Sequence, residues 1–167
     1  MFKLAPLFGN GCVLVRNKEI RIFGGATEGT RVTAELRAAD GSLLAKGTAM
    51  AQDGSFLLRL PPQKAAVGCT LHVTDGEMLI VSENVAIGEV YFAAGQSNME
   101  LELQNADEGK GLIEVHNDPD LRYFNVPKKA LWNDDAIQAE GFADVDAAME
   151  ALNKTHPLTA WNIGNTN

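Results

Sequence analysis

The sequence predicts a β-sandwich of jelly-roll or Ig-like type, followed by the opening of an α/β domain. Three observations predict it. Short runs alternate apolar and polar residues through positions 1–85. Turn formers separate those runs at intervals of about ten residues, the spacing of sandwich strands. From position 86 onward the texture changes to an apolar run followed by helix formers.

In chain order, the alternating runs are EIRIFGG, TRVTAEL, SLLAKGTAMA, SFLLRLP, CTLHVTD and MLIVSENVAI. Between them stand Glu28-Gly29, Asp40-Gly41, Asp53-Gly54, Pro61-Pro62 and Asp75-Gly76. Asp-Gly pairs supply the positive φ angles that tight hairpin turns require. Glu89 to Ala94, EVYFAA, reads as a strand covered on both faces, because it is apolar without alternation. Its aromatics Tyr91 and Phe92, with Tyr123 and Phe124, read as core. Residues Asn98 to Ala106 are helix-compatible, and LRYFNV reads as a second strand stopped by Pro127. DVDAAMEALNK reads as a helix, with Val145, Met149 and Leu152 at three-to-four-residue spacing. The domains expected are a β-sandwich over 1–85 and the incomplete start of an α/β domain over 86–167.

Composition narrows the functional classes. A formal net charge of −8 argues against nucleic acid or an anionic membrane as partner. No apolar run approaches membrane-spanning length. The N-terminus lacks the sustained apolar core of a signal peptide, so a cytoplasmic location is expected. Cys12 and Cys69 then read as free buried thiols. They and the three histidines show no metal-ligand spacing, so no bound metal is expected. The acidic residues Glu100, Glu102, Asp107 and Glu108 read as a solvated face.

The chemistry-bearing stretch is GQSNM, residues 95–99. It sits where an apolar run meets helix formers, which puts the Ser97 hydroxyl at the tip of a turn. Gly95 permits close backbone approach to a ligand. A serine at a helix N-terminus has its own N–H free for an oxyanion, in a field that favours negative charge. Such features suit acyl transfer. They equally suit a plain N-cap at Ser97 or Asn98.

GEVYFAAGQSNMELEL resembles the GEVW-x-x-SGQSNM-E signature of the sialate O-acetylesterases, a group within the SGNH (GDSL-like) hydrolases. LFGNGCVLVRNKEIRIFGGATEGTRVTAEL is similar to the opening of those enzymes, with Phe23 at a tryptophan position. DGSFLLRLPPQKAAVGCTLHV and DPDLRYFNVPK resemble later blocks, and Trp161 falls where the family has tryptophan. The resemblance spans the chain and is thinnest from Leu131 to Ala160.

The resemblance implies a flavodoxin-like SGNH domain after the sandwich, with Ser97 as nucleophile and backbone oxyanion donor. Gln96 and Asn98 flank it and shape the site. The substrate implied is an O-acetylated sugar, sialic acid first and acetylxylan as the alternative, with no metal or organic cofactor. The family's oxyanion glycine and asparagine, and its Asp-x-x-His pair, have no counterpart at matching positions. His72 lies in a strand, His116 has Ile113 three residues before it, and His156 has Asn153. The chain is therefore expected to be the N-terminal piece of a longer esterase, inactive alone. Its partners would be the C-terminal remainder or a second copy. The rival expectation is a non-catalytic β-sandwich that binds or docks. Trp132 and Trp161 are the aromatics favoured for a carbohydrate-facing surface.

Overall fold

The alternating runs fold into two sheets that share one core. The computed structural model describes residues 1–95, 97–99, 101–115, 118–124 and 162–163. Strands β1 (Lys3–Leu4), β3 (Ile20–Gly25) and β6 (Ser55–Leu60) make an antiparallel sheet in the order β1-β3-β6. The second sheet contains β2 (Val13–Val15), β8 (Leu79–Gly88), β7 (Ala66–Thr74), β4 (Arg31–Arg37) and β5 (Leu43–Met50), ordered β2-β8-β7-β4-β5. All its pairings are antiparallel except β2 with β8.

Period two explains the layering. Ile20 and Ile22 on β3, and Phe56, Leu58 and Leu60 on β6, turn inward. They meet Val32, Ala34 and Leu36 from β4, Leu71 and Val73 from β7, and Val85 and Ile87 from β8. Complete burial of one Leu or Ile side chain contributes about 1.5–3 kcal/mol. Every residue of this core lies between Phe2 and Ile87. Six expected runs are strands at these positions, and the turns match their residues: Asp53 and Gly54 both have positive φ, at 50° and 73°. Cys12 and Cys69 are free and buried, as expected.

Glycine is required where backbones touch. A Cβ at Gly24 would stand 2.1 Å from the Lys3 carbonyl oxygen, where β1 pairs with β3. One at Gly47 would stand 2.6 Å from the Arg59 carbonyl oxygen, where β5 crosses β6.

Beyond β8 several expectations change. Residues 89–95 form no strand, and Tyr91 and Phe92 are 85% and 93% exposed instead of buried. A strand covered on both faces needs strands to pair with and helices above it. Among the described residues nothing supplies them. The helix expected over Asn98–Ala106 is replaced by two short 3-10 turns, Ser97–Met99 and Leu103–Asn105. Met99, Leu101 and Leu103 recur at every second residue, which does not match a helical face. Helix α1 (Gly109–Val115) follows. β9 (Arg122–Tyr123) falls within the second expected strand, but it pairs antiparallel with β10 (Asn162–Ile163). The helix expected over DVDAAMEALNK lies outside the described residues.

Candidate active site

The approach to GQSNM is anchored at its start. Arg16, just after β2, donates Nε to the Glu89 carboxylate at 2.6 Å. The Arg16 backbone N–H also donates to the Gly88 carbonyl at 2.9 Å. Both contacts tie the end of β8 to β2, and the chain then runs exposed to Gly95.

At Gly95 the block folds back on itself. A Cβ there would lie 2.6 Å from Met99 Cγ. The glycine and the methionine of GQSNM are thus neighbours across the 3-10 turn that carries Ser97. A side chain at position 95 would push the methionine off the turn. Ser97 opens that turn, Asn98 is exposed within it, and Gln96 lies outside the described residues.

Among the described residues, no histidine belongs to this turn. His72 sits half-buried on β7, in register with Glu35 on β4 and Val81 on β8. His116 and His156 lie outside the described residues, as do Trp132 and Trp161. Among the described residues, no three His, Cys, Asp or Glu side chains cluster as a metal site. No helix among them is long and apolar enough to cross a membrane.

A contact that sequence reasoning missed fastens the later segment to the sandwich. Arg122 on β9 donates to the carbonyls of Gly11 and Asn84, and to Asn84 Oδ1 at 3.2 Å. Asn84 has φ 52° and lies in a bulge, where Glu83 and Asn84 together oppose Thr70. That bulge turns the Asn84 carbonyl toward the arginine. Nothing in LRYFNV distinguishes this arginine from one facing solvent, so the sequence held no signal for it.

The thiols below this contact are chemically quiet. Burial pushes Cys12 up to about 12, against a smaller lowering by the Arg122 charge. Cys69 is raised for the same reason. Neither is a thiolate at neutral pH, so neither is an activated nucleophile.

No family model matches the chain, and no curated protein matches it. Among solved structures it is similar to the crystal structure of a novel carbohydrate acetylesterase from Xanthomonas citri, with TM-score 0.67 and 30% sequence identity. The match covers 75% of this chain but only 28% of that one, so this chain spans under a third of its neighbour's length. In fold and in sequence, then, the chain is similar to part of a carbohydrate acetylesterase.

Proposed function

We propose that the chain is part of a carbohydrate O-acetylesterase, with O-acetylated sialic acid as the first substrate and acetylxylan as the alternative. The observation that carries this reading is a GQSNM block in a chain 30% identical to a carbohydrate acetylesterase. The sandwich, whose last strand β8 ends at Gly88, is the non-catalytic domain, and the residues after it begin the hydrolase domain.

Ser97 Oγ attacks the acetyl carbonyl carbon while a base takes its proton. The resulting oxyanion is held by backbone N–H groups, that of Ser97 among them. Collapse expels the sugar oxygen, which receives the proton, and leaves an acetyl-serine. Water then attacks that ester and releases acetate. The base and the remaining oxyanion donors come from polypeptide that completes the hydrolase domain.

Acetate release from O-acetylated sialic acid and from acetylxylan tests the reading, with the chain alone and joined to its downstream polypeptide. The joined protein should release acetate, and Ser97→Ala should lower kcat by about a thousandfold or more. Activity that survives the substitution overturns the assignment.

A second reading has its own support. The whole described core lies between Phe2 and Ile87, which suits a self-sufficient β module that binds rather than catalyses. Complete inactivity of the joined protein on both substrates favours it.

A further inference from the structure

The outer face of the β1-β3-β6 sheet is ordered in rows. Register pairs Lys3 with Gly25 and Gly25 with Ser55, then Phe23 with Leu57, then Arg21 with Arg59. Inward residues alternate with these along β3 and β6, so all three rows look away from the core. Rows two residues apart along a strand are separated by about 7 Å, so the two end rows lie about 13 Å apart along the strand direction.

The middle row is apolar yet open to solvent, with Phe23 41% and Leu57 46% exposed. Phe8 holds the Phe23 ring in edge contact, with centroids 5.1 Å apart and planes at 84°. A groove of about 860 Å³ runs beside it, lined by Lys3, Pro6, Phe23, Gly25, Ser55 and Leu57 among others. The bare backbone of Gly25 leaves room for the Lys3 stem, which passes 3.3 Å from where a Cβ would be. At the far end Arg21 and Arg59 share one carboxylate, that of Glu19. Three cations against one anion make this face positive in a chain of net charge −8.

We propose that this face binds an anionic polysaccharide, a chain of uronic-acid-type sugars, separately from the Ser97 turn. The apolar Phe23–Leu57 row takes the apolar face of a sugar ring, and the flanking cations take carboxylates on either side. Charge complementarity selects the acidic polymer. Nucleic acid fits less well, because three cations on an otherwise acidic chain make a poor match for a phosphate at every residue. The site goes beyond ester hydrolysis: it holds polymer near the enzyme and does not touch the reacting atoms.

Isothermal titration of the 167-residue chain with oligogalacturonate tests this. Binding is expected at about 0.1 M ionic strength and should fade near 1 M, where the screening length falls from about 10 Å to about 3 Å. Lys3→Glu should weaken binding about tenfold, and Phe23→Ala about fivefold. Lys3→Glu changes a side chain outside the core, so it reads binding even if Phe23→Ala disturbs folding. No binding at low salt overturns the proposal. So does equal binding by wild type and Lys3→Glu, equal binding of a neutral gluco-oligosaccharide, or tighter binding of a single-stranded oligonucleotide. Acetate release from a small acetyl ester by the joined protein should be unchanged in both variants, which separates failure of this site from failure at Ser97.

Discussion

Arg122 grips Asn84 twice: one guanidinium nitrogen donates to its backbone carbonyl and the other to its side-chain Oδ1. The same arginine donates to the Gly11 carbonyl at 3.2 Å, while its Nε is buried without a hydrogen-bond partner among the described residues. One side chain thus joins β9 to the β2 and β8 ends of the sandwich. Its charge is set against carbonyl oxygens, which are the negative ends of their dipoles.

Arg122→Ala should therefore cost about 1–3 kcal/mol, since three hydrogen bonds from a charged donor are lost. Hydrogen exchange should locate the loss. Protection should fall around Leu121–Tyr123 and at the Asn84 bulge, with β4 and β7 unchanged. Arg122→Lys keeps the charge but not the fork, so it should recover only part of the stability. Uniform loss of protection across both sheets would contradict a local tether.

Glu35 sits between two cations on β4 and β5. Lys46 Nζ donates to one carboxylate oxygen at 2.9 Å, and Arg37 donates to the other at 2.5 Å. These bonds, Lys46 first, hold its pKa down to about 2 from an ordinary 4.5. The folded state therefore binds this proton less readily than the unfolded one. The stabilisation is complete above about 4.5 and is lost as pH falls toward 2. Glu19, Asp40 and Asp75 are shifted in the same direction, by Arg21, by Ser42 and by the Met78 N–H respectively. Denaturation midpoints should fall on acidification from pH 5 to pH 2, and Glu35→Gln should flatten that slope.

Buried thiols should be silent until the sandwich opens. An aromatic disulfide reagent at pH 8 should label neither Cys12 nor Cys69 in the native chain. Both should react on addition of denaturant, at the rate of unfolding. Rapid native labelling of Cys12 would contradict a thiol pushed to about 12 by burial.

Gly24→Ala should unpair β1. Its new methyl would collide with the Lys3 backbone, which cannot move aside as a flexible side chain would. A cost of about 1–3 kcal/mol is expected, the range for overpacked sites. Gly25→Ala is the control, because its tight neighbour is the flexible Lys3 side chain at 3.3 Å, with the Gly54 carbonyl oxygen at an ordinary 3.6 Å. Equal costs for the two would mean that β1 is not held as described.

The sandwich half was legible because period-two alternation and Asp-Gly turns are local signals, read within a few residues. Phe56, Leu58 and Leu60 alternate with Ser55, Leu57 and Arg59 whatever they pack against. The GQSNM turn was legible as a motif for the same reason, though its local fold was not. Met99, Leu101 and Leu103 looked helix-compatible by residue type, while their spacing did not support a helix. The stretch around Tyr91 and Phe92 was misread because burial is a property of neighbours, not of the residues themselves.

By itself the sequence determined the inward-outward alternation of the sandwich strands, where the turns fall, and which serine stands in the motif. Only the tertiary structure decided which strands pair, with β2 running parallel to β8 and β4 lying between β5 and β7. It alone brought Arg122 to Asn84, and Lys3, Phe23 and Arg59 onto one face. Those groupings join residues tens of positions apart. Chain closure across such distances is set by the cooperative burial of one core, which no local stretch encodes.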